Sequence, residues 1–247
     1  GIPYIVMEHL EGRDLESHLG EVGLMTPREV VEIVTQLCRA LEKAHVAGIV
    51  HRDIKPSNIL VGDLGETVVI DWGLAKMIGE ADEPTRRPLV DLDDALKTRV
   101  GIVYGTPGFM APEQLRGAPV DERCDVYALG ATLYHLLART PPHHAKTADE
   151  MMKAAVAAPP TPIRELAPGV PPDLSTIVDK ALAHDSTERY QSARALADDL
   201  QRFLTGQLVK SHHYSPRDRF VQAAHEPRQA GQSCAARRNT LGAADGR

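Results

Sequence analysis

The chain has 247 residues, of which 43% are hydrophobic and 25% charged, and its formal net charge is −6. Such a composition can bury one sizeable core, or one core plus a tail, and its acidic balance gives no overall pull toward nucleic acid or an anionic membrane. The three cysteines, Cys38, Cys124 and Cys234, form no metal-ligand pattern and read as free thiols in a reducing compartment. No apolar run reaches membrane-spanning length and the first residues lack the layout of a signal peptide, so the expected location is cytoplasmic.

The chain opens on a strand-like run, 4–7, which reads as the interior of a domain rather than its start, and Gly12 breaks the pattern before Leu15 and Leu19. Thr26-Pro27-Arg28-Glu29 is a capping box with proline at the first helical position. Val30, Ile33, Val34, Leu37, Leu41 and Ala44 follow at helical spacing, and Gly48 is the expected stop. Two short β-rich runs, Ile59–Val61 and 67–70, joined by Gly62-Asp63-Leu64-Gly65-Glu66, predict a hairpin. Residues 73–106 have little periodicity and read as a long functional loop. Helical patterns then cover Arg123–Ala138, 147–157, 172–183 and 192–204, separated by proline-rich links. After Gly206 the core-forming pattern fades, so the expected organisation is a folded region, 1–206, and a poorly ordered tail, 207–247. The fold class these elements predict is α+β, mainly helical, with a short hairpin.

The chemistry concentrates in His51-Arg52-Asp53-Ile54-Lys55-Pro56-Ser57-Asn58, followed after the hairpin by Asp71-Trp72-Gly73. Phosphoryl transfer asks a protein for alignment and charge neutralisation more than for covalent steps, and a carboxylate, an ammonium and two oxygen ligands meet that need. Asp53 would accept the proton of an acceptor hydroxyl and Lys55 would approach the transferring phosphate. Asn58 and Asp71 would share magnesium, a hard cation that takes oxygen ligands.

This set resembles the catalytic loop and metal-binding triplet of the protein kinase family. Ala111-Pro112-Glu113 is similar to the triplet that closes the family's activation segment. The run 125–130 resembles its buried central helix, where Asp125 would hold the catalytic-loop backbone. Arg189 resembles the ion-pair partner of Glu113. Met7-Glu8-His9-Leu10 looks like the hinge, with Met7, Glu8 and Leu10 at the adenine, Asp14 at the ribose and Leu60 as the floor under the base. The resemblance covers 4–204 and implies a protein-kinase-like fold, ATP and Mg2+ as cofactors, and serine or threonine hydroxyls of protein substrates as acceptors, in signalling. Its bacterial members are the most similar in local sequence. Trp72 stands where the family usually has Phe and should pack as a hydrophobic plug. The His143-His144 and His212-His213 pairs read as surface or loop residues, and Cys38 and Cys124 as helix packing.

The family's glycine-rich loop, its phosphate-binding strand Lys and the helix Glu that pairs with it precede the hinge, and none is among these residues. The expectation is a piece of a longer kinase that alone binds Mg-ATP weakly and tends to associate through an exposed apolar face. The alternative is a noncatalytic half-kinase scaffold; a small-molecule phosphotransferase fits less well, because Lys55, Thr106 and Ala111-Pro112-Glu113 point to protein acceptors. Regulation is expected at Thr98, whose phosphate would dock on Arg52, a cation with no evident partner in the sequence nearby. Thr106, by resemblance, would bond Asp53 and Lys55.

Overall fold

The computed structural model describes residues 8, 10–79, 107–212 and 214, and the described residues up to His212 form one compact unit. Chain direction is set early by Gly12, whose φ of 128° and 2.8 Å clearance to the Val61 carbonyl at the Cβ position admit no side chain. That close approach lays β1 (Arg13–Asp14) antiparallel on β3 (Ile59–Val61), which pairs in turn with β4 (Thr67–Val69) to give a three-stranded sheet of order β1-β3-β4. The expected hairpin is therefore present, with a strand added at its edge. Asp14 also N-caps α1 (Leu15–Val22), accepting from the Ser17 amide at 2.9 Å and the Ser17 hydroxyl at 2.6 Å.

α2 (Pro27–Val46) starts at the capping box read from the sequence: Glu29 takes the Thr26 amide at 2.7 Å and Thr26 Oγ1 takes the Glu29 amide at 3.2 Å. Its buried stripe of Val30, Val31, Ile33, Val34, Leu37, Cys38 and Leu41 packs against α4 (Arg123–Ala138) and α8 (Ala193–Leu204). α4 is buried along almost its whole length, from Cys124 to Leu137, as a helix apolar all round must be. Gly130 lets it touch α7 (Pro172–Ala181), since a Cβ there would sit 2.8 Å from Ala181 Cβ. Between these lie α3 (Pro112–Leu115), α5 (Ala148–Ala157) and α6 (Ile163–Leu166). A second ribbon, β2 (Ile49–Val50) with β5 (Lys76–Met77), closes the polypeptide on both sides of the hairpin.

The mainly helical α+β class is as expected. The packed chain runs past Gly206: Val209 is 2% exposed, and the following backbone is tied to α8. Cys38 and Cys124 are buried among helices. His143 lies in a loop, one of the two places expected for it, but it is buried there, and its Nε2 lies 3.2 Å from the Tyr127 hydroxyl on α4.

Candidate active site

The site is assembled on one buried carboxylate. Asp125, in the first turn of α4 and fully buried, accepts the His51 amide at 2.9 Å and the Arg52 amide at 2.8 Å. His45, near the end of α2, brings its Nε2 within 2.8 Å of the same carboxylate. Three polar contacts from one stretch of chain more than 70 positions before it offset the cost of burying this anion. They also force the turn that follows, for Arg52 sits in the left-handed region at φ 68°, where a branched or bulky side chain carries strain. Gln114 on α3 braces that turn from the other side by donating to the Arg52 carbonyl at 2.9 Å.

The turn delivers Asp53, which is 8% exposed, into a small network. Its Oδ2 receives Lys55 Nζ at 2.9 Å and Asn58 Nδ2 at 2.9 Å, and the Asn58 amide nitrogen also reaches the Asp53 carbonyl at 2.9 Å. With its nitrogen so committed, the Asn58 amide offers its oxygen as an acceptor for a cation. His51 extends the network: its Nδ1 accepts the Asp53 amide at 3.2 Å, which leaves the proton on Nε2 to be donated to the Ile70 carbonyl at 3.1 Å. The Ile70 amide in turn bonds the Asn58 carbonyl at 3.0 Å. The hairpin thus returns the chain beside Asn58, and the next residue is Asp71. Asp71 is exposed, left-handed at φ 61°, and uses Oδ1 to accept the Gly73 amide at 3.3 Å.

On the other side of the sheet edge, Asp14 is the register partner of Leu60, and Leu60 that of Val68. Directly opposed residues share a face, so this row sets an apolar platform beside a carboxylate. The Asp14 carboxylate is spent on the α1 cap, and its hydrogen bonds with Ser17, side chain first and backbone second, hold its pKa below the ordinary value. Glu8 and Leu10 are exposed. Met7, Thr98 and Thr106 lie outside the described residues.

Two expectations are corrected. Arg52 does not lack a partner: its Nε donates to the Leu74 carbonyl at 2.7 Å, which ties the catalytic turn to the segment after Asp71. Trp72 is no buried plug; it is 40% exposed, donates its Nε1 proton to the Val69 carbonyl at 3.2 Å, and meets the His51 ring edge-on at 4.6 Å. Glu113 and Arg189 do meet, at 2.6 Å and 2.8 Å, with the Arg189 side chain fully buried and its remaining donors on the carbonyls of Ala183, Arg123 and His184. His45 and Gln114 were not singled out from sequence. His45 lies four residues beyond Leu41 on the buried stripe of α2, and a polar residue on such a stripe is the signal that finds it.

An ammonium and a side-chain amide thus converge on one oxygen of the buried Asp53 carboxylate, and the hairpin brings the chain back to Asn58 one residue before a second carboxylate, Asp71. The chain belongs to the protein kinase family, whose domain model matches residues 3–200. It is 35% identical over 205 residues to the probable serine/threonine-protein kinase PknB of Corynebacterium glutamicum, a match covering 81% of this chain and 30% of that protein. The serine/threonine-protein kinases PknB of Mycobacterium leprae and Mycobacterium tuberculosis are 36% and 35% identical over 206 residues, covering 83% of this chain and 31% of each relative. The chain thus spans about 30% of the length of these curated relatives.

Proposed function

We propose that this chain carries the catalytic loop of a protein kinase that transfers the γ-phosphate of ATP to serine or threonine hydroxyls of protein substrates. The observation that carries the reading is the convergence of Lys55 Nζ and Asn58 Nδ2 on Asp53 Oδ2. Held this way, Asp53 keeps Oδ1 for the acceptor hydroxyl, orients it and takes its proton as the oxygen attacks. Lys55, with its side chain 18% exposed, can turn from Asp53 toward the charge that develops on the transferred group.

The donor set fits magnesium and ATP. Asn58 presents an amide oxygen and Asp71 an exposed carboxylate, both hard ligands, and no cluster of three His, Cys, Asp or Glu suited to a metal exists among the described residues. Two protein oxygens are what a cation that also leans on substrate phosphates requires. When bound, the ion would neutralise phosphate charge; Asn58 and Asp71 would hold it, and the Leu60–Val68 platform offers an apolar surface for a base. No helix of the described residues is long and apolar enough to cross a membrane. The two buried free thiols support action in a reducing compartment such as the cytoplasm.

The test is phosphotransfer by the full-length protein from labelled ATP to a generic basic protein. Asp53→Asn is expected to lower kcat by about 10²–10⁴-fold and Asp71→Asn to abolish detectable transfer, each with the wild-type circular dichroism spectrum. Near-full activity in either variant would overturn the assignment, and a wild-type protein that binds partners but transfers no phosphate would favour a scaffold.

A further inference from the structure

The chain leaving α8 does not depart from the folded unit at once. Residues 207–212 turn back along α8 and α7, with Val209 buried at 2% exposure. Asp199, in the middle of α8 and 1% exposed, points into this return. Its Oδ1 accepts the Lys210 amide at 2.9 Å, and its Oδ2 accepts the Ser211 amide at 3.1 Å and the Tyr190 hydroxyl at 2.9 Å. One residue further, His212 Nδ1 lies 2.9 Å from Thr176 Oγ1 and 3.8 Å from Asp173 on α7. Ser211 Oγ is buried without a hydrogen bond of good geometry, next to a Tyr190 hydroxyl already spent on Asp199.

We propose that residues 207–212 form a releasable clasp on α7 and α8, locked by the Asp199 carboxylate and opened by phosphorylation of Ser211. The segment is held by one buried apolar side chain and a handful of polar bonds, two of its backbone amides on the Asp199 carboxylate, one on the Arg202 carbonyl and His212 on Thr176, which is the profile of a unit that opens by itself while the helices stay packed. Ser211 carries the only hydroxyl in 207–212, and its own amide rests on that anion. A phosphate there brings nearly two negative charges beside a buried carboxylate, and both like-charge repulsion and desolvation oppose closure. Of the nearby cations, Lys180 sits 4.5 Å over the Tyr190 ring, Arg202 lies 3.9 Å from Asp199 and already faces that carboxylate, and Lys210 is exposed to solvent, so a phosphate at 211 adds its charge to an anion that is only partly offset.

Because Ser211 Oγ is buried when the clasp is closed, transfer takes place on the open form, and the product then cannot close. Phosphorylation thereby traps a minor state rather than forcing a major one. The transfer forms the bond from Oγ to the γ-phosphorus of ATP and breaks that phosphorus's bond to the bridging oxygen. ADP leaves, and the hydroxyl proton passes to the base of the kinase that acts. Any serine kinase would serve, so the device does not depend on this chain's own activity.

The experiment compares amide exchange at Lys210 and Ser211 in the full chain, wild type, with phosphoserine incorporated at 211, and as Ser211→Ala and Asp199→Asn. Exchange at those two amides should rise at least about tenfold with phosphoserine and with Asp199→Asn, while α7 and α8 amides and Ser211→Ala stay at the wild-type rate. Wild-type protection in the phosphoserine chain would show that a cation such as Arg202 accommodates the phosphate, and would overturn the proposal. So would a parallel rise along α8, or opening in Ser211→Ala, since either makes the segment part of the packing rather than a latch. Mass spectrometry of the protein from its native cells should find phosphate on Ser211; its absence there under all growth conditions removes the physiological switch.

Discussion

Asp125 shows how a single side chain can be legible by resemblance and yet incompletely understood. Its grip on the backbone of His51 and Arg52 follows from the resemblance, whereas its third partner, His45, does not, because a helical stripe of apolar residues draws attention away from a polar residue at its end. Arg52 was misread for a related reason: its partner is a backbone carbonyl, that of Leu74, and carbonyls leave no mark in a sequence. His143 lies in a loop as read, but loop composition says nothing about its burial. Burial first, and the neighbouring His184 second, push its pKa down to about 4 from an ordinary value of 6.5. The unfolded chain therefore binds a proton between about pH 6.5 and pH 4 that the folded chain refuses, so stability is fully present above that window and falls as pH falls through it. The melting temperature of the wild type should decline across this interval more steeply than that of His143→Gln, which keeps a polar partner for Tyr127. Parallel profiles would show that the imidazole is not the group responsible.

Elements were legible in proportion to their length and to the strength of their end signals. α2 combines an N-terminal capping box, twenty residues of periodicity and a glycine just beyond its end, and α4 is apolar on every side. By contrast β1 and β5 contain two residues each, too few for any alternation to show, and α6 has a single turn. The segment 207–212 escaped for another reason, since its anchor is a carboxylate on α8 rather than an apolar pattern of its own. The Glu113–Arg189 pair operates at this scale, fastening α3 to the loop before α8. Glu113→Ala strands a fully buried guanidinium, and thermal unfolding of the variant should report a loss of about 3 kcal/mol. Glu113→Ala combined with Arg189→Met should recover part of that loss. If the double variant is no more stable than the single one, the cost lies in packing and not in the orphaned charge.

At the scale of the molecule, the order of motifs predicted the fold class and family, while the joints between segments had to be seen. Asp53, Lys55 and Asn58 lie close in sequence, and their mutual contacts are a local matter. The place of Asp71 is set instead by the register of the hairpin, in which the amide of the preceding Ile70 meets the Asn58 carbonyl. That register rests on Ile59 and Val69 pairing across the strands with their side chains in the core, and a slip of one residue would turn both outward. The platform residues Asp14, Leu60 and Val68 depend in the same way on Gly12 letting β1 approach.

All four residues proposed for catalysis lie in the stretch whose two ends are joined by the β2–β5 ribbon, and that ribbon amounts to two residue pairs, Ile49 with Met77 and Val50 with Lys76. Of these four residues Val50 alone is fully enclosed, and Met77 is 44% exposed. A knot so slight should come undone before the helices melt, since small, solvent-facing ribbons sit at the low end of a protein's opening energies. Heat would then silence the proposed phosphotransfer while the protein still looks folded. The temperature at which full-length protein loses half its phosphotransfer rate reversibly should fall several degrees below the midpoint of its helical signal, and Met77→Lys should widen the gap. Coincident midpoints in both proteins would mean that the loop and the helices unfold as one.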